Sequence, residues 1–423
     1  MCVADPRGRR ARGIVSGGER ERTPVDRVRR LSDTEATFAY THALMGGRGG
    51  LTTSFTMNGV FSPERVEAAV ELWLRRLPLL SLRIEDTGGG ELWFRQGTPG
   101  PSAGERLWGL RVGRAAEGAT RFSLSLHPAI CDGHSVGRLV RPLLDALFGV
   151  PGTCAGKEDL PPDTDELTYE SGGVCGVCVP GPARRAVTSY GAGAGPGHGR
   201  GRSAGVVRES GGGVTLAIGP YETRRLRDWC GARRLTVSGF LATVLADAFA
   251  RESGRREVTV ATAVSLRRRY AERALISEPG CVLGVVRARL RAGGAGRDAV
   301  DAGGDLVGRA RGHAEVLCSA GRDWRPERRA HTAIRRAVER ETEGGGPELR
   351  VTDAGSVDTA LGPHAGRVTG FRTMAARGDG ALDGTLHLSS FKGALTVGLA
   401  VGGAWAAVAE RELSDAMLLH NRR

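Results

Sequence analysis

Lysine is almost absent from this chain of 423 residues, although arginine and lysine together number 60. The only lysines are Lys157 and Lys392, so arginine supplies nearly all of the basic charge behind the formal net charge of +13. The arginines are spread along the chain, and aromatic residues make up only 5% of it. Nucleic-acid binding normally shows a clustered basic patch. The charge therefore predicts no nucleic-acid partner and an attraction to anionic partners, such as nucleotide-bearing thioesters or acidic carrier proteins.

Long apolar runs are also missing, since none approaches the roughly 18 residues that a membrane span requires. The first residues are polar and rich in arginine and lack the apolar core of a secretory signal. We therefore expect a cytoplasmic protein with no membrane span. Eight cysteines are present, but only Cys175 and Cys178 form a Cys-x-x-Cys pair. Without a second pair or a nearby histidine pair, this spacing predicts neither a metal site nor a bound cofactor.

The apolar pattern divides the chain into four parts. Residues 1–30 are charged and lack periodicity, which predicts a disordered basic arm. Residues 31–150 and 213–423 each mix helical and strand periodicity, and both predict lobes of the α+β class. Residues 151–212 are rich in glycine and proline and predict a crossover linker. In the second lobe, we expect residues 368–374, 385–391 and 394–401 to form a meander of strands.

A cluster of reactive side chains follows the strand at the end of the first lobe. Phe122, Leu124 and Leu126 alternate with polar residues, as in a half-buried strand. The next eight residues, 127–134, read His-Pro-Ala-Ile-Cys-Asp-Gly-His. Ser135 is then expected to cap a helix. The pattern predicts that two histidines and an aspartate lie at a strand-to-helix junction, where a rigid frame often presents reactive groups.

This stretch resembles the His-His-x-x-x-Asp-Gly signature of the superfamily of condensation domains and chloramphenicol-acetyltransferase-like enzymes. The closest likeness is to the polyketide-associated acyltransferases of actinobacteria. Further segments resemble the family in order and spacing: residues 66–84, 235–245, 265–267, 351–355 and 390–395.

The resemblance implies α/β two-layer sandwiches arranged as two acetyltransferase-like lobes, which form a V around a central channel. It implies acyl transfer in natural-product biosynthesis, from coenzyme A or a phosphopantetheine carrier to a hydroxyl or amine acceptor. The second histidine of the signature acts as the general base, and the aspartate is structural. By the same resemblance, Asp132 pairs with Arg267 beside Gly133. The expected channel residues are Ser125, Ser265, Asp353, Gly355 and Ser390.

The sequence departs from the signature at its central position. Aligned by Asp132 and Gly133, the first histidine is His127 and the expected base is Pro128, which cannot titrate. Neighbours on an extended strand face opposite ways, so His127 does not simply replace it. His134 lies at the start of the helix, where the helix dipole would lower its pKa. We therefore name His127 and His134 as the candidate catalytic residues.

Three functions stay open at this point. The chain is an acyltransferase whose base is His127 or His134, or whose nucleophile needs none. Alternatively, the fold serves a cyclisation or dehydration of a similar substrate. As a third possibility, the loss of the base at Pro128 leaves a binding module for a carrier protein or a partner enzyme.

Overall fold

The structure is a computed structural model that describes residues 27–47, 50–97, 106–115, 118–150, 160, 163–166, 205–208, 213–267, 279–291, 302–344, 348–375 and 384–418. The helices of this part are α1 (Asp33–Leu44), α2 (Pro63–Arg76), α3 (Val136–Phe148), α4 (Pro220–Ala232), α5 (Val237–Ser253), α6 (Ala302–Asp323), α7 (His331–Gly344), α8 (Val357–Leu361) and α9 (Gly403–Leu418). The strands are β1 (Arg27–Arg30), β2 (Leu51–Asn58), β3 (Leu82–Asp86), β4 (Leu92–Gln96), β5 (Trp108–Arg114), β6 (Ala119–Leu126), β7 (Gly205–Arg208), β8 (Gly213–Ile218), β9 (Glu257–Ser265), β10 (Leu283–Arg291), β11 (Glu348–Ser356), β12 (Val368–Ala375), β13 (Gly384–Phe391) and β14 (Ala394–Val401).

The N-terminal lobe is built on two small sheets, with strand orders β1-β4-β3 and β12-β2-β6-β5. The alternation predicted for β6 is present, because Phe122, Leu124 and Leu126 are buried between more exposed neighbours. Helices α2 and α3 cover the same core, where Trp73 is fully buried and donates from Nε1 to the Leu139 carbonyl at 2.8 Å. This core fixes the end of β6 and the start of α3, between which the reactive cluster lies.

The C-terminal lobe contains one sheet of seven strands in the order β10-β9-β11-β13-β14-β8-β7. Strand β11 runs parallel to both of its neighbours, whereas the other pairs are antiparallel. Alternate residues of β13, including Leu386 and Leu388, pack into a core shared with α5 and α9. The opposite face of the sheet is turned toward the N-terminal lobe.

The three-strand meander expected in the second lobe does not form, because β12 pairs elsewhere. It pairs antiparallel with β2 across Phe371 and Phe55 and so belongs to a sheet of the N-terminal lobe. The β13–β14 hairpin forms as expected. Alternation within a segment identifies a strand but not its partner, so the local pattern could not predict that β12 pairs with β2.

Two predicted boundaries also change. Residues 27–30 were assigned to the disordered arm, but they form β1, which pairs with β4. Within the expected linker, β7 pairs with β8, and Asp165 accepts a hydrogen bond from the Asp33 backbone nitrogen at 2.7 Å. The rest of the arm and most of the linker, including Cys175 and Cys178, lie outside the described residues. Among the helices that are described, none combines the length and the hydropathy of a membrane span.

Candidate active site

The reactive cluster forms a tight turn between β6 and α3. The His127 backbone nitrogen donates to the Leu107 carbonyl at 2.7 Å, and the Ile130 nitrogen donates back to the His127 carbonyl at 3.1 Å. Ala129, Ile130 and Cys131 are buried beneath this turn. The turn therefore has a fixed conformation that points its polar side chains in different directions.

Asp132 anchors the turn to the C-terminal lobe. Its Oδ2 forms the expected ion pair with Arg267 and accepts a hydrogen bond from the Val282 backbone nitrogen at 3.0 Å. Burial alone would raise the pKa of the carboxyl, but the Arg267 charge and these hydrogen bonds hold that pKa below its ordinary value. Asp132 is thus an ionised, fully engaged side chain, as expected of a structural residue.

Ser135 does not cap α3, contrary to the sequence expectation. It makes no side-chain capping bond and has helical backbone angles. Its hydroxyl lies 2.9 Å from Asp132 Oδ1, accepts from Arg267 Nη2 at 2.8 Å and accepts from the Gly280 nitrogen at 2.9 Å. Because the hydroxyl bonds to these buried groups, it does not cap the helix. Ser135 instead extends the Asp132–Arg267 pair into a network between the lobes.

His127 faces a different cavity from the one that Pro128 lines. This cavity, of about 820 Å³, is bordered by α1, β3, β4 and the α7 residues Arg335 and Glu339, and in it the His127 ring lies edge-on to that of His42 at 4.2 Å. Its Nδ1 accepts a hydrogen bond from the Ala129 nitrogen at 3.1 Å. Burial, with a smaller contribution from His42, lowers the pKa of His127 to about 3. An imidazole with so low a pKa is a weak base, and it faces away from the cavity that Pro128 lines.

Pro128 faces a different cavity of about 190 Å³, which we call the interlobe cavity. Its lining is mainly apolar and comes from both lobes: Phe38, Met45, Leu51, Pro128 and Gly133 on one side, and Ala263, Leu283, Val285, Thr352 and Thr385 on the other. The alternation of His127 and Pro128 predicted from the sequence is therefore confirmed. The position that would hold the base in the signature does face the space between the lobes, but it carries no titratable group.

His134 lies on the outer side of the same turn, next to the C-terminal end of β11. A Cβ placed on Gly355 would come within 3.5 Å of its Cε1. The side chain reaches solvent, but the surrounding protein partly desolvates the ring, and this desolvation lowers the pKa of His134 from its ordinary value. The negative charges of Asp132 and Asp353 oppose this lowering of the pKa, whereas the positive charge of Arg267 adds to it. The direction agrees with the sequence expectation, although the main cause is desolvation and not the helix dipole.

The remaining predicted residues separate into two groups. Asp353 and Gly355 lie near the end of β11, beside His134, where the strand register is irregular, and Asp353 Oδ1 accepts from the Gly355 nitrogen at 2.9 Å. Ser390 is buried and donates to the Gly355 carbonyl at 3.2 Å. Ser265 and Ser125 do not join them: Ser265 lies at the end of β9 outside the interlobe lining, and Ser125 is an exposed residue of β6.

Gly133 makes the closest approach between the turn and β11. A Cβ at this position would lie 3.1 Å from Ala354 Cα and 3.4 Å from the Ala354 nitrogen. Such distances are tighter than most Cβ contacts, so a side chain here would push the turn and β11 apart by a few tenths of an ångström. Glycine at this position therefore suits the close packing between the lobes.

Sequence reasoning missed several parts of this region. Phe38 and His42 belong to α1, and Met45 is the residue that caps its C-terminus. The sequence spacing of this helix gives no sign that it borders two cavities. Gly280 and Val282 contribute only backbone groups, which carry no residue-type signal. In the part of the chain that the structure describes, no group of three or more His, Cys, Asp or Glu side chains is placed to hold a metal ion.

No protein-family model matches the chain, and no curated protein matches it in sequence. Solved structures do match it, at low identity. Polyketide synthase associated protein 5 from Mycobacterium tuberculosis aligns with a TM-score of 0.60 and 16% identity, over 95% of this chain and 99% of that one. The trichothecene 15-O-acetyltransferase from Fusarium sporotrichioides aligns with a TM-score of 0.62 and 11% identity, over 93% and 95%.

A third solved structure is the starter condensation domain of rhizomide synthetase, a variant in complex with C8-CoA. It aligns with a TM-score of 0.56 and 14% identity, over 92% of this chain and 94% of that one. Together the matches define the class by fold: the two-lobed, acetyltransferase-like architecture shared by acyltransferases and condensation domains. The fold predicted from the resemblance is thus confirmed. Within that fold, this chain has the Asp132–Arg267 ion pair and proline at position 128.

Proposed function

We propose that this protein transfers an acyl group from a coenzyme A or carrier-protein thioester to a hydroxyl or amine acceptor in natural-product biosynthesis. The observation that carries the proposal is the interlobe cavity, because Pro128, Asp132 and Gly133 of the motif turn line it. A mainly apolar cavity that ends at the reactive turn suits an acyl chain. The lobes of residues 31–150 and 213–423 both contribute to it.

The donor follows from charge and from the fold neighbours. The net charge of +13 favours approach of an anionic donor, either the nucleotide of coenzyme A or an acidic carrier protein. The rhizomide starter domain, which shares the fold, was solved with C8-CoA. Such donors are intracellular, which favours a cytoplasmic location for this protein.

His134 is the better of the two candidate bases. It is neutral at pH 7 because its pKa is lowered, and it reaches solvent at the edge of the motif turn. In the proposed step, His134 takes the acceptor's proton while the acceptor oxygen or nitrogen attacks the thioester carbonyl. The carbon–sulfur bond then breaks, and the imidazolium returns the proton to the leaving thiolate. A thioester is already activated, so placement and one base suffice.

The test is thiol release from octanoyl-CoA with a panel of alcohol and amine acceptors, with mass spectrometry of the acylated product. We expect acceptor-dependent release that His134→Ala lowers by about 10²–10⁴-fold. Pro128→His places an imidazole against the interlobe cavity and should raise the rate, whereas Pro128→Ala should not. Absence of any acylated product from the parent protein, together with transfer by Pro128→His, would reject the proposal.

Pro128 itself favours a second candidate, a non-catalytic module that binds a carrier protein or partner enzyme. A chain that only binds has no need of a base facing the interlobe cavity. Isothermal titration with an octanoyl-loaded acyl carrier protein separates the candidates. Tight binding without turnover over many hours supports the module, and turnover excludes it.

A further inference from the structure

Three arginines stand side by side on the three-stranded sheet of the N-terminal lobe. In the strand register, Arg95 of β4 lies opposite Arg27 of β1 on one side and opposite Arg83 of β3 on the other. Residues that lie opposite each other in an antiparallel pair share a face, and like charges in such a pair are destabilising. We call these three residues the arginine row. Its positive charges are a cost to the stability of the sheet.

The carboxylate of Glu85 offsets part of this repulsion. Its Oε2 lies 3.2 Å from Arg27 Nε, and its Oε1 lies 3.8 Å from Arg95 Nη1, so the two guanidinium groups share one carboxylate. Arg83 lies two residues before Glu85 and therefore on the same face of β3. Within this group of four side chains, three positive charges surround one negative charge.

The arginine row borders the cavity of about 820 Å³ that His127 lines, which we call the arginine cavity. The charged residues of its described lining are Arg83, Arg95, Arg106 and Arg335 together with Glu85, Asp86 and Glu339. Of these, Glu339 pairs with Arg335 at 2.8 Å across one turn of α7. Four arginines against three acids give this lining an excess of positive charge, to which the arginine row contributes most directly.

Two imidazoles add hydrogen-bonding groups to the same cavity. His42 and His127 both line it, with their ring centroids 4.2 Å apart. Burial lowers the pKa of each ring, so both are neutral at pH 7. His127 Nδ1 accepts a hydrogen bond from the Ala129 nitrogen, which assigns the hydrogen of the neutral ring to Nε2. His127 therefore has an N–H group to offer to an acceptor oxygen of a ligand.

Helix α1 separates the arginine cavity from the interlobe cavity. Phe38 lines the interlobe cavity, whereas its neighbour Ala39 lines the arginine cavity. The motif turn divides in the same way, with Pro128 on the interlobe cavity and His127 on the arginine cavity. A ligand of the arginine cavity is therefore separate from an acyl chain held in the interlobe cavity.

The charge and the size of the arginine cavity select the class of ligand. Guanidinium groups match the oxygens of phosphate in charge and in geometry. Neighbouring strands are about 4.8 Å apart, so Arg83 and Arg95 present two guanidinium groups to two linked phosphates. A cavity of about 150 Å³ holds benzene, which has six carbon atoms. On that scale, about 820 Å³ takes roughly thirty non-hydrogen atoms, comparable with a nucleoside diphosphate.

We propose that the arginine cavity is a second ligand site, which binds the diphosphate group of a small molecule about as large as a nucleoside diphosphate. The diphosphate supplies the negative charge that the arginine row lacks, and the histidines donate to its remaining oxygens. The proposal does not depend on acyl transfer, and its test needs no turnover.

The test is isothermal titration of the full-length protein with inorganic pyrophosphate and with ADP. We expect one-to-one binding of both, with ADP at least as tight, because the cavity has room for the nucleoside. Arg83→Gln should weaken the binding of pyrophosphate by at least about tenfold, since it removes hydrogen bonds from a charged donor. Glu85→Gln removes a competing carboxylate and should tighten that binding by about three- to fivefold.

Arg111→Gln is the matched control, because Arg111 is an exposed arginine of β5 outside the lining of the arginine cavity. It should leave the affinity for pyrophosphate within about twofold of the parent value. Without ligand, Arg83→Gln should melt no lower than the parent protein, because it relieves a pair of like charges. That result would show that its loss of binding is not a loss of folding.

Three results would overturn the proposal. The first is that the parent protein binds neither pyrophosphate nor ADP. In the second, Arg83→Gln and Arg111→Gln weaken binding equally, which would indicate general attraction to a chain of net charge +13. In the third, saturating pyrophosphate displaces octanoyl-CoA, which would assign the arginine row to the acyl donor. Failure of acyl transfer with pyrophosphate binding intact would overturn the proposed function alone.

Discussion

The carboxylate of Asp132 accepts a hydrogen bond from the backbone nitrogen of Val282 at 3.0 Å, across 150 residues of sequence. The same oxygen pairs with Arg267, and Ser135 and Gly280 complete the buried network. Most of its bonds join the motif turn to the C-terminal lobe, and one, from Arg267 to the Gly280 carbonyl, holds the C-terminal partners together. The network therefore sets the position of the motif turn relative to the interlobe cavity.

Removing Arg267 should destabilise the protein strongly. Arg267→Ala leaves the buried Asp132 carboxylate without its counter-charge, and breaking a buried pair costs about 3–5 kcal/mol. We expect urea unfolding to show this loss in free energy of unfolding. Arg335→Ala, which removes the exposed pair with Glu339 at 2.8 Å, is the control and should leave the free energy of unfolding nearly unchanged. Equal effects of the two variants would contradict an anchoring role for Arg267.

Gly133→Ala should separate the motif turn from β11. The added Cβ would lie 3.1 Å from Ala354 Cα, so one of the two backbones must move. We expect a loss of about 1–3 kcal/mol in stability. Acyl transfer should fall about a hundredfold as well, because reacting groups are displaced. Gly109→Ala in β5, where a Cβ meets nothing within 4 Å, is the matched control and should leave both quantities nearly unchanged.

The sequence was most informative where local chemistry determines local structure. A serine followed by proline, as at Ser62 and Pro63, is typical of a helix start. The structure has both the capping bond from the Arg65 nitrogen to Ser62 and proline in the first turn of α2. It was uninformative where distant segments meet. The pairing of β12 with β2 and the pairing of His387 with Thr352 depend on the register of strands far apart in the chain. A single sequence carries no direct record of that register.

Acid should destabilise the protein partly through His387. Its folded-state pKa of about 4 lies below the ordinary value near 6.5, so the unfolded chain binds more protons between these pH values. Stability therefore rises with pH across this window and is lost as pH falls through it. At pH 5, protonation of His387 accounts for about 2 kcal/mol of the lost free energy of unfolding. Between pH 7 and pH 5, urea unfolding of His387→Leu should therefore show a smaller loss than the parent protein, by this amount. Identical losses would mean that the imidazole is protonated in the folded state.

The pH dependence of acyl transfer should identify His134 as the base. Its pKa is lowered, chiefly by desolvation, so we expect the rate to fall only below pH 6.5, the ordinary value for histidine. The Asp353 carboxylate raises the pKa of His134. Asp353→Asn should therefore move the acid limb of the profile to still lower pH, while the amide oxygen can keep the hydrogen bond from the Gly355 nitrogen.

His127→Ala is the control for this profile, because His127 lines the cavity beside α1, β3 and β4 and not the interlobe cavity. It should leave the position of the acid limb where it is in the parent protein. Because His134→Ala removes the titrating group, its residual rate should lose the acid limb altogether. If Asp353→Asn leaves the limb in place while His127→Ala moves it, then His127 is the base, and the motif turn must rearrange when substrate binds.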